Sequence, residues 1–369
     1  MSTYDVAVVG AGIVGAACAA ALAAENLRVI IIDRDAPATG TTAAGMGHIV
    51  VMDDSEAQLA LTSYSRELWN EIAADLPPSC EYQRCGTVWV AADDNEMDEA
   101  RRKCDVLKKH DVSCELLDAM TIREAEPNLR NEVAGGLLVR DDAVVYQLAA
   151  TKLMIDKATA AGAEIRFGSA VSAIVGNNLK LENGDQISAG VVINASGAVA
   201  HKLTPQLNVI PKKGHLVITD RYPQFIHHQV LELGYAKSAH GSQTDSVAFN
   251  VQPRPTGQVL IGSSRQLGKN DRIIDRDILR RMIARGVEYM PSLAKMSAIR
   301  AWTGIRPATK DNLPHIGEVP DLPGVYAAAG HEGLGITTSL GTAAILRDVI
   351  LGRETAIPHE PYSPARALA

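Results

Sequence analysis

The sequence predicts an α/β protein with two domains: a parallel sheet flanked by helices, and a second α+β domain built on an antiparallel sheet. Residues 5–9 form a short β-branched run typical of a buried parallel strand, and a helical pattern followed by a second such run at 28–32 completes a βαβ unit. Strand-like runs dominate again from 211 to 261, which predicts the antiparallel sheet. The length of 369 residues agrees with two domains or one large α/β unit.

Composition excludes several classes of protein. Hydrophobic residues make up 46% and charged residues 21%, an ordinary globular balance. The net charge of -7 lacks the basic excess of nucleic-acid-binding proteins, so no nucleic-acid partner is expected. The longest apolar run, residues 13–24, is shorter than the roughly 20 residues that span a bilayer. With no basic-then-apolar leader at the N-terminus, we expect a cytoplasmic protein without a transmembrane segment.

The five cysteines are odd in number and irregularly spaced, which fits reduced thiols in a reducing compartment. No Cys-x-x-Cys pair occurs, so we expect this chain alone to hold neither an iron–sulfur cluster nor a structural zinc.

The first turn of the βαβ unit, Gly10 to Gly15, reads G-A-G-I-V-G and matches the G-x-G-x-x-G pattern. Gly10 permits a tight turn, Gly12 lets the backbone approach a pyrophosphate, and Gly15 lets the helix pack closely on the strand. Asp33 ends the second strand, where a carboxylate can accept hydrogen bonds from a ribose hydroxyl. Because strand, glycines, helix and acid fall in register, the unit predicts a Rossmann-like dinucleotide-binding domain.

The motif alone leaves NAD and FAD open. Residues 34–47 form a loop of small residues without apolar periodicity, where an NAD domain normally continues into another helix and strand. The pattern Asp33-Arg34, Gly40-Thr41-Thr42 and Ala44-Gly45-Met46 resembles the D-amino acid oxidase superfamily of flavoproteins, which includes glycine and sarcosine oxidases. This resemblance implies that the loop wraps the ribityl pyrophosphate of FAD. It also implies that His48 lies near the flavin, although an ordinary loop histidine is an equal alternative.

The resemblance also organises the rest of the chain. We expect a discontinuous FAD-binding domain of residues 1–85, 142–207 and 300–369, interrupted by a substrate domain of residues 86–141 and 208–299. Helical spacing predicts helices at 58–73, 97–110, 148–161 and 277–286, and a turn at Asn183-Gly184 predicts a hairpin. The residues after Thr355 read as a poorly structured, proline-containing tail.

A rigid arginine is the strongest candidate for substrate binding. Arg306 lies between Gly304 and Pro307, whose fixed φ stiffens a platform from which a guanidinium can bind a carboxylate through two parallel hydrogen bonds. A surface arginine in a turn is the alternative. The segment resembles the W-x-G-x-R-P-x-T-x-D stretch of glycine-oxidase-like enzymes, which implies that Arg306 binds the substrate carboxylate.

A second glycine-rich turn, residues 330–335, precedes a predicted helix that ends before Gly352. The resemblance places this turn at the N1/C2=O edge of the flavin, where a helix N-terminus would stabilise an anionic reduced ring. The Gly-His-Glu-Gly-Leu-Gly sequence departs from glycine oxidases and is closer to the D-hydroxyproline dehydrogenase branch. Glu332 could then pair with a substrate amine or a ring hydroxyl, or be a solvated loop acid.

These features assign roles to particular residues. The expected catalytic residues are Arg306, His48 and Glu332. The expected FAD contacts are Gly10, Gly12, Ile13, Val14, Gly15, Asp33, Arg34, Thr41, Thr42, Ala44, Gly45, Met46, Gly47, Val171, Ala195, Gly197, Gly304, Arg306, His331, Gly333, Leu334, Gly335, Ile336 and Thr337. Val171 and the turn at Ala195 and Gly197 enter through the resemblance alone, as contacts to adenine and to the dinucleotide. No metal ligands are expected.

The resulting hypothesis is FAD-dependent hydride removal from Cα of a small amino acid, with cis-4-hydroxy-D-proline or D-proline preferred. Glycine, sarcosine and other D-amino acids stay open, as does the choice between oxygen and another electron acceptor, including an iron–sulfur partner subunit. Two other classes are alternatives: an NAD-dependent dehydrogenase, and an FAD-binding subunit of a hetero-oligomer without catalysis.

Overall fold

The computed structural model describes residues 3–234 and 245–368. The strands within these residues are β1 Thr3–Val9, β2 Val29–Ile32, β3 His48–Ile49, β4 Thr87–Ala91, β5 Cys114–Asp118, β6 Gly135–Val139, β7 Ala143–Val144, β8 Glu164–Arg166, β9 Val171–Val175, β10 Asn178–Leu181, β11 Gln186–Asn194, β12 Ile210–Arg221, β13 Gln229–Glu232, β14 Ser246–Pro253, β15 Gln258–Leu267, β16 Ala298–Ala308, β17 His315–Glu318 and β18 Val325–Ala329. The helices are α1 Ile13–Ala23, α2 Glu56–Ile72, α3 Asp94–Lys109, α4 Thr121–Ala125, α5 Gln147–Ala160, α6 Ala200–Leu203, α7 Arg276–Tyr289 and α8 Ser339–Ile350.

The first sheet has the order β17-β18-β11-β1-β2-β8, and its central strands are parallel. β17 joins antiparallel. β10 and β11 form the predicted hairpin, whose turn contains Asn183-Gly184, and β9 pairs antiparallel with β10. The β-branched strands of this sheet are buried on both faces, as parallel strands usually are. On one face, α1 packs between α5 and α8, and its alanines allow close approach of the three helices.

The second sheet has the order β16-β12-β15-β14-β13-β4-β6-β5 and is antiparallel except for the β13–β4 pair. Its outer face is covered by α7, where Met282 and Tyr289 join an apolar core with Phe249. Its inner face turns toward the first sheet. The two-sheet architecture confirms the predicted fold class. β16 begins close to the predicted boundary at residue 300 yet pairs with β12 in the second sheet, and the domain boundaries stay a prediction.

The predicted tail is wrong. The residues after Thr355 include two short 3-10 helices, Glu360–Tyr362 and Pro364–Leu368. Tyr362 is buried and its hydroxyl donates to Ala57 O at 2.6 Å, while Arg366 bonds Asp311 at 2.7 Å. Pro364 is the first residue of its helical turn, a position where a proline needs no N–H partner.

Candidate functional site

The carboxyl edge of the first sheet gathers three of the predicted segments. Val9 pairs with Ile32 and with Asn194, so the residues that follow the three strands emerge side by side. Gly10 has φ +111, and a Cβ there would lie 2.4 Å from Ala195 O. A Cβ on Gly15 would lie 2.0 Å from Gly10 O, so only glycine lets α1 start this close to the strand.

The start of α1 offers its N-terminus to a ligand. Its N-cap, Gly12, provides no side-chain cap, and the backbone N–H of Ile13 donates to Thr42 Oγ1 at 3.1 Å. Asp33 accepts hydrogen bonds from Ala11 N at 2.6 Å and from Asp35 N at 3.0 Å, which fixes the carboxylate beside the turn. The cradle has the form that a dinucleotide pyrophosphate requires, since glycine at 10 and 15 lets the turn, the neighbouring strand and α1 approach one another this closely.

A cavity of about 1070 Å³ runs from this cradle to the second sheet. Its volume exceeds the roughly 300–1,000 Å³ of a pocket for one drug-sized ligand, so a dinucleotide and a small substrate fit together. The predicted site residues that line it are Gly10, Gly12, Ile13, Val14, Asp33, Arg34, Thr41, Thr42, Ala44, Gly45, Met46, His48, Val171, Ala195, Gly197, Gly304, Arg306, His331, Glu332, Gly333, Gly335 and Ile336.

Four predicted residues do not line this cavity. Gly15 lets the helix pack closely on the strand. Gly47 has φ +100, and its Cα lies close to Val145 O. Leu334 packs beside an apolar core, and Thr337 accepts from Val50 N at 3.3 Å while donating to His48 O at 2.9 Å. Their role in this structure is to shape the walls.

The loop at 40–47 lies between the two sheets. Thr41 Oγ1 donates to Ile305 O at 2.7 Å, and Trp302 Nε1 donates to Ala44 O at 3.3 Å. A Cβ on Gly304 would lie 2.5 Å from Ala44 Cβ, so the small residues at both positions permit this contact. The loop therefore joins the cofactor side of the cavity to β16.

The far wall is the inner face of the second sheet. β12 and β16 pair in a register that sets Lys212 opposite Arg306 and Gly214 opposite Gly304, so these residues share one face. The Arg306 guanidinium lies over Gly214, where a Cβ would come within 2.4 Å of Nη1. Nη1 donates to Ser264 O at 2.9 Å. This bond holds the arginine in place while its other donors remain oriented along the cavity wall.

Glu332 lies beside this arginine. Its φ is +51, and its backbone N–H donates to Pro307 O at 2.8 Å. Lys212 Nζ lies 3.4 Å from Glu332 Oε1. Burial raises the pKa of the carboxyl group, but the cations Arg306, Lys212 and Arg265 outweigh burial and lower the pKa to about 2. Glu332 is therefore an anion at every physiological pH.

His48, at the start of β3, lies in the cavity wall. Its Nδ1 contacts Gln229 Oε1, and its Nε2 lies 3.3 Å from Met46 Sδ. Burial, with a smaller contribution from the Arg306 cation, lowers the pKa of His48 to about 4 despite the hydrogen bond to Gln229. The imidazole is therefore neutral.

His331 differs from its neighbour Glu332. It is buried, and its Nε2 hydrogen-bonds Thr342 Oγ1 of α8 at 3.0 Å. Burial lowers its pKa to about 3. Its side chain contacts the helix, so it supports the turn at 330–335 from behind.

Sequence reasoning missed Lys212, Gln229 and Asn250. Asn250 lines the cavity, is 3% exposed, and its Oδ1 has no hydrogen-bond partner among the described residues. Each of the three lies in a strand without a motif, so only strand register could have revealed it. The one available signal was alternation along β12, which puts Lys212 on the same face as Gly214.

Residues 3–234 and 245–368 lack two kinds of feature. They contain no group of three or more His, Cys, Asp or Glu side chains able to hold a metal ion. Within the same residues, every helix is too short or too polar to cross a membrane.

The family model for FAD dependent oxidoreductases (DAO) matches residues 5–349. Among relatives, the glycine oxidase of Geobacillus kaustophilus strain HTA426 is 27% identical over 98% of this chain and 97% of its own length. The hydrogen cyanide synthase subunit HcnC of Pseudomonas aeruginosa is 25% identical over 99% of this chain and 96% of its own length.

Solved structures agree with this match. Glycine oxidase from Geobacillus kaustophilus superposes with a TM-score of 0.89 at 26% identity and covers 99% of both chains. L-proline dehydrogenase from P. horikoshii shares the fold, with a TM-score of 0.89 at 23% identity over 99% of this chain and 98% of its own. With a glycine cradle that fits its pyrophosphate, the cofactor is FAD. The chain belongs to the DAO family of FAD-dependent oxidoreductases.

Proposed function

We propose that this protein oxidises a small amino acid to the imino acid by hydride removal from Cα. FAD, held by the glycine cradle, would supply the two-electron acceptor for the hydride, with flavin N5 as the proposed acceptor atom. The imine is then hydrolysed in water or, from a cyclic amine, released as such. The relatives named glycine oxidase support an amino acid as substrate.

Arg306 carries this proposal as the anchor for the substrate carboxylate. It lines the cavity on the second sheet, opposite the dinucleotide cradle, and its bond to Ser264 O fixes the plane of the guanidinium. A planar fork held this way binds a carboxylate through two parallel hydrogen bonds and so orients Cα. Glu332 forms an ion pair with Lys212 and lies close to Arg306, which keeps the donors that Ser264 O does not use for the substrate.

The substrate class that we propose is a cyclic D-amino acid, with cis-4-hydroxy-D-proline or D-proline preferred. The turn at 330–335 supports this choice because it presents an ionised carboxylate, Glu332, at the cavity. A carboxylate can only accept hydrogen bonds, so it suits a ring hydroxyl. The hydroxyl of cis-4-hydroxy-D-proline is such a group, whereas D-proline, glycine and sarcosine have no ring hydroxyl.

The amine must be neutral to release a hydride, because an ammonium nitrogen has no lone pair to form the imine. No side chain is required as a base, since water can remove the ammonium proton before hydride transfer. The rate of flavin reduction is therefore expected to rise with pH through the pKa of the substrate amine.

Anaerobic mixing with a panel of amino acids tests this function. The panel contains cis-4-hydroxy-D-proline, D-proline, L-proline, D-alanine, sarcosine and glycine, and flavin absorbance is followed by stopped flow. We expect the cyclic D-amino acids to bleach the flavin fastest. Faster bleaching by glycine or sarcosine would replace the substrate class, and no bleaching by any compound would favour an FAD-binding subunit without catalysis.

The electron acceptor is a separate part of the proposal. We propose an external acceptor, such as an iron–sulfur partner subunit; the lack of a Cys-x-x-Cys pair fits this acceptor and equally fits an oxidase that uses oxygen. Admitting oxygen to the reduced protein tests this directly. Slow reoxidation is expected, whereas rapid return of the flavin absorbance with formation of hydrogen peroxide would identify an oxidase.

A further inference from the structure

Gln229 is a buried residue whose amide orientation is fixed. It is the first residue of β13 and is fully buried opposite Thr87 of β4. Its Nε2 donates to Ala143 O at 3.0 Å. If the amide were flipped, Gln229 Oε1 would face Ala143 O, and two acceptors cannot form a hydrogen bond. The Oε1 atom must therefore be the one that faces His48.

This orientation determines the tautomer of His48. The Oε1 of Gln229 can only accept, so His48 Nδ1 carries the hydrogen and donates it. Because the imidazole is neutral, Nε2 then has a lone pair and no hydrogen. Met46 Sδ at 3.3 Å has no hydrogen to give. Among the described residues, His48 Nε2 is thus an acceptor in the cavity wall without a donor.

We propose that Gln229 is a positioning residue that keeps His48 as the Nδ1–H tautomer, and that His48 Nε2 accepts a hydrogen bond from the substrate amine N–H. This inference rests on the proposed function and deepens it. Arg306 binds the carboxylate and His48 binds the nitrogen, so the bond from Cα to the departing hydride has a fixed direction. The amine lone pair stays free to form the imine.

The proposal defines a class of substrates. Primary and secondary amines keep an N–H when neutral, whereas neutral tertiary amines have none. Matched pairs that differ by one N-methyl group are therefore the probes: D-proline with N-methyl-D-proline, and sarcosine with N,N-dimethylglycine. In the wild-type holoenzyme we expect the N–H member to have the higher kcat/KM by about 10- to 100-fold, the range for one hydrogen bond in a buried site.

Gln229→Glu gives the sharpest contrast. A carboxylate beside Nδ1 favours the imidazolium, so Nε2 gains a hydrogen and becomes a donor. We expect kcat/KM for D-proline to fall by about 10- to 100-fold at pH 7 and to recover as the pH rises. The kcat/KM for N-methyl-D-proline should be unchanged, so the ratio of kcat/KM between D-proline and N-methyl-D-proline falls at pH 7. Two other charged sites lie near this part of the sheet. Glu232, also in β13, pairs with Arg285 on the opposite face of the sheet. Arg306 of β16 is the charged group that acts on His48.

Two further variants separate positioning from packing. Gln229→Met keeps the side-chain volume but has no carboxylate, so we expect kcat/KM for D-proline to fall without recovering at high pH. In His48→Leu the N–H and N-methyl compounds should have equal kcat/KM. His48→Gln should restore part of the preference for the N–H compound, because its amide oxygen can accept the hydrogen bond. FAD content and the visible spectrum of each holoenzyme report whether the site still folds.

The outcomes distinguish this inference from the proposed function. If wild type reduces its flavin with D-proline but does not discriminate the pairs, or if Gln229→Glu leaves the pH profile unchanged, the inference is wrong and the function stands. If no compound reduces the flavin, the function fails. The same pairs are then compared by titration of the flavin absorbance, and equal affinities for both members would also overturn the role of His48.

Discussion

The two walls of the cavity are built in different ways. The cofactor wall consists of backbone at the ends of adjacent strands, with glycines at Gly10 and Gly15 where a Cβ would collide. The opposite wall consists of side chains: Arg306 and Glu332 reach it from separate elements, and Lys212 of a third element pairs with Glu332. A backbone site needs a fixed spacing of glycines, so it leaves a motif. A side-chain site needs only that strand register bring residues together, so it leaves little trace in sequence.

Gly10→Ala should give the largest effect, on the cofactor wall. The new Cβ would lie 2.4 Å from Ala195 O, and the positive φ adds strain of about 1–3 kcal/mol. We expect loss of most of the FAD and a lower melting temperature, measured by flavin absorbance and calorimetry. Gly184→Ala is the matched control, because its φ is +90 but nothing lies within 4 Å. Equal losses in both variants would mean that strain, and not the cradle, is responsible.

Arg306→Ala should give the next largest effect, on the opposite wall. Removing the anchor should lower kcat/KM for amino acids by about 100- to 1,000-fold, mainly through KM, because one partner of a buried charge pair is lost. FAD content should be unchanged. The control is Arg280→Ala, an exposed arginine on the outer helix α7. Unchanged turnover of every amino acid would remove Arg306 from the site.

Gly214→Ala moves the anchor without removing it. The Cβ would lie 2.4 Å from Arg306 Nη1, and a long side chain can yield where a backbone cannot. We expect kcat/KM to fall by about tenfold, less than the roughly 100-fold that a 1 Å misplacement can cost. Steady-state kinetics and FAD content check this. A loss of FAD as great as in Gly10→Ala would contradict the assignment of Gly214 to the substrate wall and Gly10 to the cofactor wall.

Glu332→Gln should have the smallest effect, which depends on pH. The pKa of Glu332 in the folded protein is about 2, below its usual 4.5, so its contribution to stability is complete above about pH 4.5 and is lost as the pH falls toward 2. We expect wild type to exceed the variant by about 1 kcal/mol at pH 6. Urea unfolding at pH 6 and pH 3 should show this difference shrinking. A difference that grows toward acid would contradict an ionised Glu332.

The same contrast explains what the sequence could predict. The β1–α1–β2 unit and the loop up to Met46 were predictable because their residues are close in sequence and each has a local conformational reason. The resemblance of its segment predicted that Arg306 lies in the site; the residue lines the cavity, and its role as the anchor stays a proposal. Gln229 was not predictable, since its importance depends on β13 pairing with β4 and on Ala143 in another strand. Tyr362 was missed because its burial depends on contact with a helix 305 positions earlier in the chain.

The central claim is that the cofactor wall is paired with an opposite wall that holds a carboxylate. It is tested most directly by one anaerobic stopped-flow comparison of cis-4-hydroxy-D-proline with pyrrolidin-3-ol, the amine that lacks the carboxylate. We predict that the amino acid bleaches the flavin of wild type and that the amine does not, and that Arg306→Ala removes most of this difference. Equal bleaching by both compounds in wild type would contradict the account.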